Sequence, residues 1–117
     1  MKIVSSKKDL DIALNDNENK IVVSNFKIVN SLKLLNNINI THAQRNRCKY
    51  TLENNIDDSA FLGFIGFAPI ISEIGNVSFL NSMGIISSVG LHQILIILSH
   101  YTIKYDDKNN NIILTKI

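Results

Sequence analysis

The sequence predicts a small α+β protein: a mixed sheet made from an N-terminal βαβ unit and a C-terminal β-hairpin, with an apolar helical hairpin inserted between them. Three observations predict it. The first 40 residues alternate short β-branched runs with segments of helical period. The last 17 residues alternate apolar and polar positions around a turn. Between them, Ser59–Ser99 carries one formal charge, Glu73.

A chain of 117 residues has the length of a single domain. It divides by composition into a βαβα part (1–40), a polar connector (41–58), the apolar helical hairpin (59–100) and the β-hairpin (101–117). "KIVS" is a first β-prone run. Ser6 stands three residues before Asp9, a variant of capping-box spacing, so a helix is expected to start there. Leu10, Ala13 and Leu14 follow at i, i+3, i+4, and "NDNEN" ends that helix with turn formers. "KIVVS" at 20–24 is a second strand. Strand, helix and strand in this order imply parallel pairing with a right-handed crossover. Asn25 is placed to cap a second helix, on which Ile28, Leu32 and Leu35 share a side.

Residues 41–58, "THAQRNRCKYTLENNIDD", show no clear period and read as a solvated connector. The end of the chain is sharper. Tyr101, Ile103 and Tyr105 alternate with Thr102 and Lys104, "DDKNN" is turn chemistry, and "NIILTKI" returns as a strand. The 20 Ile and 16 Asn, with Lys ten of the twelve basic residues, are what an AT-rich genome writes by codon drift. Asn-rich patches therefore need not be designed features.

The apolar zone splits at "SEIGN", where Glu73, Gly75 and Asn76 mark a hairpin turn. Before it lie Ser59–Ser72, with Pro69 a potential kink. After it lie Val77–Ser99, long enough as one helix to span a bilayer. Asn81, Gly84, Ser88, His92 and Ser99 recur at intervals of 3, 4, 4 and 7, which places them along one side of that helix. Gly84 and Ser88 form a small-xxx-small pair, the spacing that lets two helices approach closely. These five residues are the expected helix-association stripe.

Reactive chemistry is not written in the chain. It has no phosphate-cradling glycine motif. Its three histidines, His42, His92 and His100, have no metal-ligand spacing with the one cysteine. No catalytic residue, metal or cofactor is expected. Cys48, in "RNRCKY", reads as a solvent-exposed structural cysteine whose cationic neighbours would lower its pKa. The formal charge of +2 gives no case for nucleic acid. A single cysteine allows no internal disulfide, and "MKIVSSKKDLD" lacks the apolar run of a signal peptide. Cytoplasmic synthesis, with association to the inner membrane, is the expected localisation.

In layout the stretches "KIVSSKKDLDIAL", "NKIVVSNFKIVNSL" and "SHYTIKYDDKNNNIILTKI" resemble a type of short uncharacterised bacterial protein. That type has a strand–helix–strand–helix start, an apolar glycine-containing centre and a Tyr-Asp β-hairpin at its end. This chain carries Ile, Phe and Ser where such centres are richer in Gly and Ala. The type has no established activity, so the resemblance implies no site residue.

The function expected from the sequence is non-enzymatic: self-association into a homo-oligomer through the apolar hairpin, with insertion into or perturbation of membrane lipid, as in a toxin-like or defence effector. The alternative is a soluble interaction module, such as an immunity or inhibitor protein, whose hairpin is core or oligomer interface and whose protein partner the sequence does not name.

Overall fold

The computed structural model describes residues 1–36, 38–53 and 60–117, with the backbone alone described over 60–67. The elements are β1 (Lys2–Val4), α1 (Lys7–Asn15), β2 (Lys20–Val23), α2 (Phe26–Lys33), α3 (His42–Glu53), α4 (Ala60–Gly75), α5 (Phe79–Val89), α6 (Leu91–His100), β3 (Tyr101–Asp106) and β4 (Asn111–Lys116).

Local chemistry sets the first half as the sequence predicts. The Ser6 hydroxyl accepts from Asp9 N–H at 3.0 Å and starts α1. The Asn25 side chain accepts from Ile28 N–H at 3.1 Å and starts α2. Each cap satisfies one of the N–H groups that a helix start leaves without an intrahelical partner. Leu10, Ala13 and Leu14 of α1, and Ile28, Val29 and Leu32 of α2, turn inward.

The four strands form one mixed sheet in the order β1-β2-β4-β3. β1 and β2 are parallel, with Ile3 opposite Val22. β4 runs antiparallel to both β2 and β3. The fold is α+β. One face of the sheet presents Val4, Ile21, Val23, Tyr101, Ile103, Ile112 and Leu114 to the helices. The Tyr101 hydroxyl, at the end of a buried ring, donates to the Glu18 carbonyl at 2.6 Å.

Two expectations about the middle of the chain are corrected. Residues 42–53 of the polar connector form α3, a helix of 12 residues. It was hidden because it buries few apolar residues, Cys48 chief among them. The acidic end of that connector, Asp57 and Asp58, and its boundary with the apolar zone lie outside the described residues. Val77–Ser99 is two helices, not one. Ser78 caps α5 by accepting from Asn81 N–H at 3.1 Å. Gly90, at φ 101° and ψ 139°, ends α5 and begins α6. The two helices meet at 100°, and among the described residues no single helix is long and apolar enough to cross a membrane.

α6 is the central helix. Ile94, Leu95, Ile96, Ile97, Leu98 and Ser99 are all buried. It packs against α1, α3, α4, α5 and β3. A helix apolar on most sides needs cover on most sides, and these five elements supply it. Truncating any one of its buried Ile or Leu side chains to Ala would cost about 2–5 kcal/mol.

Candidate functional site

The surface that stands out is the outer face of α5. Ser82, Ile85, Ile86 and Val89 face the core. The opposite side carries Phe79, Leu80, Asn81, Gly84 and Ser87, all exposed, with Ser88 half-buried. Leu80, Gly84, Ser87 and Ser88 stand at i, i+4, i+7 and i+8, so they form one ridge. Leu80 is 79% exposed. A Cβ added at Gly84 would meet nothing within 4 Å, so the ridge has a saddle at its middle. From Ile74 to Leu91 there is no formal charge. Lys7 approaches from α1, its Nζ donating to the Ser87 carbonyl at 3.5 Å near the C-terminal end of α5. A cation is favourable there, where helix carbonyls lack partners.

The five residues of the sequence-derived stripe are not brought together. Asn81 and Gly84 are exposed and Ser88 is half-buried on α5. His92 is exposed two residues beyond the bend, in the first turn of α6. Ser99 is buried in the core, and among the described residues its hydroxyl has no hydrogen-bond partner. The bend at Gly90 is the physical reason. It rotates the second half of the stripe away from the first.

The hairpin turn is where the sequence places it. Glu73 is exposed in the last turn of α4, and the Gln44 side chain donates to it at 3.4 Å. Asn76 takes a left-handed conformation at φ 50°. Val77 N–H returns to the Ser72 carbonyl at 3.2 Å, and the Ser72 hydroxyl donates to the Val77 carbonyl. This is a Schellman-type closure with Asn at the left-handed position. Gly75 is required for contact: a Cβ there would come within 2.4 Å of Leu35 Cδ2 on the chain following α2.

Cys48 is buried, not exposed. Burial pushes its thiol up to about 11, and the opposing pull of Arg45 and Arg47 is the smaller effect. A thiol that holds its proton so firmly is a poor nucleophile. Among the described residues no group of three or more His, Cys, Asp or Glu is placed to hold a metal ion.

Sequence reasoning missed Phe79 and Leu80. Both counted as apolar background, although Leu80 stands four residues before Gly84 and so extends the same ridge. Comparison with protein-family models, with curated proteins and with solved structures gives no match to this chain.

Proposed function

We propose that this protein is a non-enzymatic interaction module that works by self-association, the outer face of α5 meeting the same face of a second copy. The observation that carries the reading is Leu80, 79% exposed, beside the open saddle at Gly84 on an uncharged helix face. A two-fold pair presents each residue of a patch to the same patch. An uncharged ridge therefore meets no like charge when it pairs with itself. Gly84 and Ser88 let the two helix backbones approach, and Leu80 of each copy fills the space beside the other's saddle.

Sedimentation velocity across a concentration series tests this. The wild-type chain is expected to dimerise. Leu80→Glu should abolish the dimer, and Gly84→Leu should weaken it by about tenfold or more, ~1.4 kcal/mol. Phe26→Ser, exposed on α2, should leave it unchanged. A chain that stays monomeric at every concentration, or a Leu80→Glu variant that dimerises like wild type, overturns the reading.

A second reading is membrane association, favoured by the joint length and apolar composition of α5 and α6. Straightening them into a span would withdraw the buried side of α6 from the core. Flotation with lipid vesicles separates the two readings: a chain that floats with vesicles and does not dimerise in buffer favours lipid.

A further inference from the structure

The free edge of β3 borders a cavity unconnected with α5. Ile117 N–H donates to the His100 carbonyl at 2.8 Å, while Lys116 N–H turns away from β3 to the Asn19 carbonyl at 2.8 Å. These two bonds fix the phase of the antiparallel ladder. Thr102, Lys104 and Asp106 exchange bonds with β4, and Tyr101, Ile103 and Tyr105 turn their backbone groups to the free edge. Tyr105 N–H is taken there by the Asn36 side-chain oxygen at 2.7 Å. Tyr101 N–H is taken by the Ile97 carbonyl at the end of α6. The same alternation aims Ile103 N–H and C=O at the cavity.

The cavity holds about 280 Å³ and is lined by Ile38, Ile40, Arg45, Tyr101, Thr102 and Ile103. One guanidinium nitrogen of Arg45, Nη1, donates to the Leu98 carbonyl at 2.9 Å. A guanidinium has five N–H donors in a fork that matches a carboxylate, and among the described residues no carboxylate occupies it. The surroundings are cationic. Burial first, then the charges of Lys49, Lys116 and Arg45, hold His100 below its ordinary pKa, with Glu53 alone opposing.

We propose that this cavity captures the C-terminal residue of a partner polypeptide. Its carboxylate pairs with Arg45, its backbone pairs with Ile103 as a short added strand, and its apolar side chain lies against Ile38 and Ile40. Pairing at a sheet edge supplies affinity through main-chain bonds, and flanking pockets supply selectivity. A chain end fits better than a strand running through. Asn36 blocks the edge at Tyr105, and the edge from Tyr101 to Tyr105 spans only about 14 Å. The volume lies just below the ~300–1,000 Å³ of pockets for larger ligands.

The test is titration of the full chain with a fluorescein-labelled pentapeptide, Gly-Ser-Thr-Ala-Val, as the free acid and as the C-terminal amide, read by fluorescence anisotropy. The acid is expected to bind at least about tenfold tighter than the amide. Arg45→Gln should erase that difference while leaving the amide's weak binding unchanged, a pattern that general unfolding does not produce. Ile40→Glu, which sets a carboxylate in the wall without touching Arg45, should abolish binding of the acid. Equal affinity of acid and amide, no binding by the acid, or an acid preference that survives in Arg45→Gln overturns the proposal. So does N-acetylvaline displacing the peptide at an affinity equal to the peptide's own, because that assigns the cavity to a free small carboxylate.

Discussion

Replacing Gly90 by Ala tests the bend on which the reading of the apolar zone depends. Gly90 has φ 101° and ψ 139°, close to a region that only glycine occupies without strain. Forcing an L-residue into it costs on the order of 1–3 kcal/mol. The new Cβ would stand 2.1 Å from the Gln93 side-chain oxygen. That oxygen is at the end of a flexible chain, so Gln93 rotates away, but its nitrogen then leaves the Asp11 carboxylate that it meets at 2.7 Å. The lost bond adds about 1 kcal/mol. The sum, about 2–4 kcal/mol, is a large part of the ~5–15 kcal/mol that holds a domain together. In urea denaturation followed by circular dichroism, the midpoint should fall by about 1–2 M for a slope near 2 kcal/mol/M. A straight helix through Val77–Ser99 predicts the opposite sign, because Gly→Ala inside a helix gains about 1 kcal/mol. A midpoint that is unchanged or raised refutes the bent arrangement. Gln93→Ala, which removes the Asp11 bond without backbone strain, should cost only about 1 kcal/mol.

Further outcomes follow at three residues, Cys48, His100 and Glu73. Cys48 should resist thiol reagents until the protein unfolds, and Cys48→Ser should lose roughly 1–3 kcal/mol by burying a hydroxyl without a partner. Because its folded pKa is raised to about 11, Cys48 favours the folded state most below its unfolded value, and stability should decline as pH climbs from about 9 toward 11. Cys48→Ala should flatten that decline in pH-dependent urea titrations. His100 has a folded pKa below its ordinary value, so its contribution is complete above about pH 6.5 and is lost as pH falls through the lower folded value. His100→Gln should remove that acid-side loss. Glu73→Gln, at an exposed carboxylate with one long contact to Gln44, should change the unfolding free energy by less than about 0.5 kcal/mol.

Caps and alternation were legible because they act over three or four residues. Ser6, Asn25 and the Tyr101–Tyr105 alternation each specify their element locally. The Asn content was misleading in one respect. Codon drift accounts for a surplus, yet the described non-glycine residues with left-handed backbone are Asn17, Asn76 and Asn110, each at a turn. Asn reaches that conformation at less cost than other side chains with a Cβ. Gly90 was legible in principle as a helix stop twelve residues after the Ser78 cap. Inside a long apolar run it drew no reading of its own, and Val77–Ser99 was expected as one helix. A backbone angle decides between one helix and two, and a sequence does not state backbone angles.

Whether the apolar zone needs lipid is a question of how much protein is available to cover it. Two short helices and four short strands look too little for some 40 apolar residues. The missing cover is α3, which the sequence disguises as a connector. It is a helix with little amphipathic pattern, and it lies along α6. It covers α6 with few apolar residues. Cys48 and Thr51 are buried, Leu52 is partly buried, and Arg45 reaches across to the Leu98 carbonyl. Long polar side chains shield apolar surface with their stems while their heads stay hydrated or bonded, so a polar helix can cover an apolar one without showing an apolar stripe of its own. With α3 on one side, α1 and α5 on others and β3 at its end, α6 is buried from Ile94 to Ser99. The demand for cover then shifts from α6 to α5, where Phe79 and Leu80 remain open. That pair is small enough for one more helix face to cover, which is the cover the proposed self-association would provide.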